Sequence, residues 1–175
     1  ARVAAQQAGA RAGVKVADLS TGIAGAYCSK LLADAGADVT RVGAHPLEQW
    51  RRGALYAHLA ANVARSPAAP SDADAIVWSP GAASTPDELT AEHPDAVVVA
   101  ISPFGLGTSW SDRPATEFTL QAWSGAIIGL GRGDPERPPV HVGGQVGEWL
   151  AGTYAAIAAL AAARAGTPGV VDLSM

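Results

Sequence analysis

Residues 14–42, VKVADLSTGIAGAYCSKLLADAGADVTRV, decide the fold class of this chain. The stretch begins with VKVAD at 14–18 and ends with ADVTRV at 37–42, two short runs typical of strands. Between them, a glycine-containing turn leads into a segment whose apolar residues recur near helical spacing, and Gly36 ends that segment as a helix cap would. This pattern predicts a βαβ unit, in which the two strands are parallel and the crossover is right-handed.

The same alternation of strand and helix patterns continues along the chain. Helical patterns occupy 52–64 and the segment PDELTAEH, and further strands are predicted at 75–79, 96–102 and 169–173. The run at 96–102, AVVVAIS, is almost fully apolar, which is typical of a strand buried on both faces of a parallel sheet. The sequence therefore predicts an α/β fold with a doubly wound, Rossmann-like, mostly parallel sheet, flanking helices and a long Ala-rich helix. We expect a single domain over 1–175, with 1–13 as a leading helix or linker.

Composition and charge exclude several classes of protein. The chain has 175 residues and 49% hydrophobic content, enough for one sizeable core. Its net charge is -4 and its Lys and Arg residues form no continuous block, so we expect no nucleic-acid partner. The single cysteine cannot form an internal disulfide, which favours a cytoplasmic location. The apolar run 149–163 is shorter than the roughly 20 residues of a bilayer span, so we interpret it as a core helix and expect no membrane partner.

The residue patterns do not favour a metal or a nicotinamide cofactor. The turn after the first strand has Gly22 and Gly25 but lacks the three-glycine dinucleotide fingerprint, and no acid follows the second strand, where Gly43 stands. We therefore expect no NAD. The four histidines and the single cysteine have no metal-ligand spacing, so we expect no metal. Cys28 lies on the predicted buried side of the first helix, where packing is its expected role.

The segment VGGQVGEWLAGTYAA at 142–156 places a single carboxylate, Glu148, where the long helix begins. An acid in the first helical turn complements the partial positive charge of the exposed N–H groups, and this alone would explain a glutamate at position 148. The alternative is a nucleophile or base beside a glycine loop, because Gly143 and Gly144 would let backbone N–H groups approach a developing oxyanion. The residues by themselves leave both interpretations open.

Three blocks of the sequence resemble one known family. DLSTGIAGAYCSKLLADAGADVTRV is similar to the opening of family III CoA-transferases (the CaiB/BaiF family), whose pattern is DLS, then AGPY, then LLADLGADVIKVE. AVVVAISPFGLGTSWSDRPATEFTLQAWSG and GEWLAGTYAAIAALAAARAGTPGVVDLSM resemble two later segments of the same family. The resemblance covers about 14–175 in order. Known members are longer, so the chain resembles their N-terminal part, and we expect a fragment or half of a larger fold.

The resemblance implies an activity and a set of site residues. It implies transfer of coenzyme A between an acyl-CoA thioester and a carboxylic acid, through a covalent intermediate on a carboxylate. The family's catalytic aspartate falls on Glu148, and the glycine loop with Gly143 and Gly144 would supply oxyanion donors. The expected CoA-binding segment is the turn after the first strand, formed by Ser20, Thr21, Gly22, Ile23 and Ala24. From the residues alone, the better-supported interpretation is a turn that only allows close helix packing. Family members form interlocked dimers, so we expect a homo-oligomer or a second chain that completes the fold and covers an exposed apolar surface.

Departures from the family pattern leave two alternatives. Glu148 is one methylene longer than aspartate, Gly43 replaces an acid, and Ala26 replaces the proline of AGPY. The lost acid at Gly43 and a shortened segment between the second and third strands favour a catalytically degenerate, CoA-transferase-like partner or scaffold, whereas the carboxylate at 148 and the glycines before it favour catalysis. The same family contains α-methylacyl-CoA racemases, which resemble the transferases but use a histidine and the aspartate as an acid/base pair, and that histidine would fall on Thr116. Because threonine cannot shuttle a proton near neutral pH, an acyl-CoA racemase is the weaker alternative.

Overall fold

Among the residues that the structure describes, six strands form one sheet, and every neighbouring pair is parallel. A computed structural model describes residues 13–43, 53–130, 136–138 and 140–175. The order across the sheet is β3-β2-β1-β4-β5-β6, which is the order of a Rossmann fold. The strands are β1 Lys15–Asp18, β2 Asp38–Val42, β3 Ala64–Ser66, β4 Ala75–Trp78, β5 Val97–Ser102 and β6 Gly169–Ser174. The prediction of a parallel, doubly wound α/β fold is confirmed.

Helices connect these strands and cover both faces of the sheet. They are α1 Ile23–Asp34, α2 Ala54–Leu59, α3 Pro86–Glu92, α4 Glu117–Trp123 and α5 Val146–Ala165. One face packs on α1 and α5 through a cluster that includes Val16, Leu32 and Ala155. The opposite face packs on α3 through a second cluster around Ile76 and Leu89. Apolar burial on both faces explains why β4 and β5 are buried at every position.

Close contact between α1 and α5 determines where the N-terminal end of α5 lies. Gly152 faces α1, and a Cβ atom at this position would lie 2.5 Å from the Ala24 carbonyl oxygen, so a larger residue would force the helices apart. Ala155, Ala156 and Ala159 extend the same buried stripe. By length and composition α5 could cross a bilayer, a property that core helices of globular proteins share. Its packing on α1 favours the interpretation of a core helix.

One local expectation differs from the structure, in the segment between β2 and β4. The helix predicted over 52–64 covers only Ala54–Leu59, and a short strand, β3, follows at Ala64–Ser66. Asn62 has a positive φ of 63°, a conformation that Asn tolerates better than most residues and that ends the helical path before the strand. With only three residues at the edge of the sheet, β3 has too short a pattern to be recognised by periodicity. The predicted leading helix or linker lies, except for Gly13, outside the described residues.

Candidate functional site

A buried ion pair between Asp18 and Arg41 stabilises the turn after β1. Asp18 and Arg41 are 2% and 5% exposed, and the Arg41 guanidinium binds the Asp18 carboxylate. The other carboxylate oxygen, Oδ1, accepts hydrogen bonds from the Ser20 N–H at 3.0 Å and from the Ser20 hydroxyl at 2.7 Å. A Cβ at Gly25 would lie 2.0 Å from the Ser20 Oγ, so only glycine fits there. The Ser20 side chain is therefore a structural part of the turn.

The same turn is fastened to the end of β4. The Thr21 N–H donates to the Ser79 hydroxyl at 2.8 Å, and the Thr21 hydroxyl donates to the Pro80 carbonyl at 2.8 Å. These bonds join the carboxyl ends of two neighbouring strands, which is the edge where open α/β sheets bind ligands. The segment 20–24 is thus held rigidly at this edge, while Ile23 packs into a cluster with Ala26 and Leu59.

The N-terminus of α1 receives its cap from the distant residue Glu148. Gly22 is the N-cap and provides no side chain, which leaves the first N–H groups of the helix without a local partner. The Glu148 Oε2 accepts a hydrogen bond from the Ala24 N–H at 3.0 Å. A Cβ on Gly22 would lie 3.0 Å from the same oxygen, so the glycine makes room for the carboxylate. Glu148 thus lies in the first turn of α5 but places its charge at the start of α1.

The two glycines expected to supply oxyanion donors lie in an exposed segment. Gly144 adopts φ 79°, and its carbonyl accepts a hydrogen bond from the Trp149 indole N–H at 2.8 Å. Trp149 in turn packs edge-on against Tyr27, with ring centroids 4.6 Å apart. No hydrogen bond joins Gly143 or Gly144 to Glu148 in the described part of the chain. Of the expected site residues, the structure brings Gly22 and Ala24 to Glu148.

Glu117 and Gln121 hold the start of α5, and sequence reasoning missed both. The Glu117 Oε1 accepts hydrogen bonds from the Gly147 N–H at 2.7 Å and from the Gln121 amide at 2.7 Å. Gln121 also pairs with both backbone groups of Val142 at 2.9 Å. Glu117 follows Thr116, the N-cap of α4, and an acid is common at such a position for electrostatic reasons alone. Its contact with Gly147 arises between segments 30 residues apart, and no local pattern signals it.

The thiol of Cys28 is placed for packing and not for nucleophilic chemistry. Cys28 is fully buried under α5, and burial, with the nearby negative charge of Asp18, raises the pKa of its thiol. The neutral thiol is a poor nucleophile, which agrees with a packing role. Among the described residues, no three His, Cys, Asp or Glu side chains come together as a metal site would require.

Comparisons with known proteins identify the family. The sequence pattern of CoA-transferase family III matches residues 12–69 and 82–175. A succinyl-CoA–D-citramalate CoA-transferase from Chloroflexus aurantiacus is 29% identical, over 93% of this chain and 48% of that protein. The chain thus spans about half the length of the curated relative that it matches.

Solved structures show the same fold. A CaiB/BaiF family protein from Brucella suis superposes with a TM-score of 0.72 at 22% identity, over 93% of this chain and 52% of that one. A hypothetical protein from Mycobacterium tuberculosis gives a TM-score of 0.70 at 20% identity, over 95% of this chain and 54% of that one. The family's sequence pattern matches most of the chain, and the parallel sheet agrees with the fold of these structures. The chain belongs to CoA-transferase family III.

Proposed function

We propose that this protein transfers coenzyme A between an acyl-CoA thioester and a carboxylic acid, with Glu148 as the covalent nucleophile. The observation that carries the proposal is the place of the Glu148 carboxylate at the N-terminus of α1. One oxygen, Oε2, is held by the Ala24 N–H, whereas Oε1 accepts no hydrogen bond from the described residues. A carboxylate fixed by one oxygen presents the other to a substrate in a defined direction.

The proposed reaction follows from this arrangement. Glu148 Oε1 attacks the thioester carbonyl, the C–S bond breaks, and CoA leaves as thiolate while the acyl group forms a mixed anhydride with the carboxylate. The thiolate then attacks the Glu148 carbonyl, which releases the donor acid and leaves CoA as a thioester on Glu148. The acceptor carboxylate attacks this thioester, expels the thiolate and forms a second anhydride. Attack of the thiolate on the acceptor's carbonyl then releases the new acyl-CoA and regenerates Glu148.

The start of α1 supports this chemistry electrostatically. Its first N–H groups carry partial positive charge and lie beside Glu148, where negative charge develops in each tetrahedral intermediate. We infer that the rigid turn 20–24 contacts CoA, because it lies at the ligand-binding edge of the sheet. The glycine loop at Gly143 and Gly144 remains a proposed source of further oxyanion donors.

A second candidate function is a catalytically degenerate partner or scaffold. The hydrogen bond by which Glu148 caps α1 favours this alternative. The bond stabilises the fold even if Glu148 never reacts with a substrate. An acyl-CoA racemase is less well supported, since Thr116, where that activity would need its histidine, forms a capping box with Thr119.

Binding of CoA separates a transferase from a scaffold. We expect millimolar CoA to raise the melting temperature, because a ligand bound only by the native state adds about 2.7 kcal/mol of stability at a 100-fold excess over its Kd. Differential scanning fluorimetry measures this, with AMP at the same concentration as a control for weak nucleotide binding. An unchanged melting temperature at millimolar CoA would favour the scaffold.

The outer face of α5 supports an association with further protein. Leu150, Tyr154 and Ile157 are 56%, 63% and 59% exposed and form one apolar stripe along the helix. We infer that a second copy or a second chain covers this stripe in an interlocked assembly. Sedimentation velocity of the native protein should therefore show a species larger than one chain. A compact monomer that binds no apolar dye would contradict this inference.

Some expectations rest on the sequence alone and remain proposals. These are a single domain over 1–175, a cytoplasmic location, and the absence of NAD, metal, nucleic-acid and membrane partners. The net charge of -4 and the single buried cysteine support the location and the lack of a nucleic-acid partner.

A further inference from the structure

We propose that Glu117 is a positioning residue for Glu148: it caps α5 and so determines where Glu148 meets the start of α1. This inference rests on the proposed function for its catalytic consequence, but its structural part can be tested without activity. Glu117 accepts a hydrogen bond from α5, the helix that carries Glu148, and Glu148 accepts one from α1. A shift of α5 would therefore also move Glu148 relative to α1.

The first observation is that α5 has no cap of its own. Its N-cap residue, Gln145, adopts a left-handed conformation with φ 60° and makes no capping hydrogen bond through its side chain. The Gly147 N–H, one of the groups left open at this end, donates instead to Glu117 at 2.7 Å. A hydrogen bond to a carboxylate is about twice as strong as a neutral one, so this tertiary contact can replace a local cap.

The second observation is that the surroundings are shaped around the Glu117 carboxylate. A Cβ atom on Gly147 would lie 3.1 and 3.2 Å from the two carboxylate oxygens, so a side chain there would crowd the acid. Gln121, which is 4% exposed, donates to Glu117 and binds both backbone groups of Val142. Helix α4 therefore holds both the start of α5 and the segment before it.

The third observation concerns the second Glu117 oxygen. Oε2 is buried and has no hydrogen-bond partner among the described residues. Burial of an unpaired acceptor lowers the stability of the fold, and such groups are found mainly at functional sites. This unpaired acceptor lies where Glu117 holds Gly147, the residue next in sequence to Glu148.

Hydrogen exchange at the Ala24 amide tests the positional part directly. In the complete native protein, Glu117→Ala should let the first turn of α5 shift, so the Ala24 N–H loses its bond to Glu148 and exchanges about 10-fold faster. Glu117→Gln keeps an acceptor oxygen and should restore most of the protection. Exchange of the Val98 amide in β5 reports any global loss of stability and is used to correct the Ala24 rate.

A matched control is available at another helix start. The Glu88 carboxylate accepts the Thr85 N–H at 2.8 Å in the capping box of α3, far along the chain from Glu148. Glu88→Ala removes a comparable bond and should leave the corrected Ala24 exchange rate unchanged. If Glu117→Ala also leaves that corrected rate at the wild-type value, the positioning role is overturned.

The catalytic consequence has its own measurement. If wild type forms a hydroxylamine-sensitive adduct with acyl-CoA, Glu117→Ala should lower kcat about 100-fold with little change in KM, and Glu117→Gln should recover most of it. A wild-type rate per folded molecule in Glu117→Ala would overturn the catalytic part. If wild type forms no adduct while Ala24 exchange responds to Glu117→Ala, the proposed function fails and the positioning role stands.

Discussion

Glu148→Gln is expected to abolish covalent modification by acyl-CoA while leaving the fold intact. The amide has almost the shape of the carboxylate, and its oxygen can still accept the Ala24 N–H, so the cap of α1 survives. It cannot attack a thioester, because the amide oxygen is a far weaker nucleophile than a carboxylate oxygen. Intact mass spectrometry after incubation with acyl-CoA, with and without hydroxylamine, measures the adduct, and circular dichroism checks the fold.

Glu148→Asp is the informative companion variant. Aspartate restores the family's acid but withdraws the carboxylate by about 1 Å, and a displacement of that size can lower a rate about 100-fold. Because the Ala24 contact is made at the length of glutamate, we expect slower adduct formation than in wild type. A rate equal to or above wild type would show that the pocket suits aspartate.

Two results would contradict the assignment of Glu148. An adduct that persists in Glu148→Gln would place the nucleophile elsewhere in the chain. An unmodified wild-type protein under conditions where CoA raises the melting temperature would leave Glu148 as the cap of α1 and nothing more.

Asp18→Ala is expected to lower the free energy of unfolding by about 3–5 kcal/mol, which is typical for loss of one partner of a buried ion pair. The variant leaves the Arg41 guanidinium buried without its counter-ion and removes the acceptor of both Ser20 hydrogen bonds. Urea denaturation followed by fluorescence measures the change. The turn 20–24 should loosen as well, so any CoA-induced stabilisation should fall.

A double variant separates the buried charge from the loss of packing. Replacing both partners, as Asp18→Ala with Arg41→Met, removes the unpaired charge and should recover part of the stability, since buried pairs are often replaceable by apolar groups. Asp87→Ala, in the first turn of the distant helix α3, serves as a control for loss of an acid at the helix surface. A loss below about 1 kcal/mol for Asp18→Ala would mean that Arg41 is solvated or paired elsewhere.

Much of the fold could be predicted because its signals are local. Strands β1, β2, β4, β5 and β6 and helix α1 each carry a strand or helix pattern in their own residues, and each is bounded by a nearby turn that contains glycine or proline. The cap role of Gly36 is confirmed, since its φ is 93° and its N–H donates to the Ala33 carbonyl. Strand β3 was missed because three residues, mostly exposed, form no pattern of their own and pair only with the edge of β2.

The candidate site could be predicted only in part. The resemblance to the family pointed to Glu148 as the nucleophile and to the turn 20–24 as the CoA-binding segment, and both roles stay predictions. The sequence offered two interpretations of Glu148, and the first attributed it to the dipole of its own helix. In the structure the carboxylate also caps a second helix, which no local pattern could indicate because Ala24 lies 124 residues away.

The sequence by itself determined the parallel order of strands and helices, because hydrophobic period, glycine turns and the handedness of βαβ crossovers act within short segments. The tertiary structure alone decided which groups meet at the start of α5. There, the absence of a side chain at Gly152 lets α5 approach the Ala24 backbone. The Glu148 carboxylate accepts a hydrogen bond from the Ala24 N–H of α1, and the Glu117 carboxylate accepts one from the Gly147 N–H of α5. The two carboxylate contacts each satisfy a backbone donor that its own helix leaves unpaired, and only the packed fold brings the acceptor within hydrogen-bonding distance.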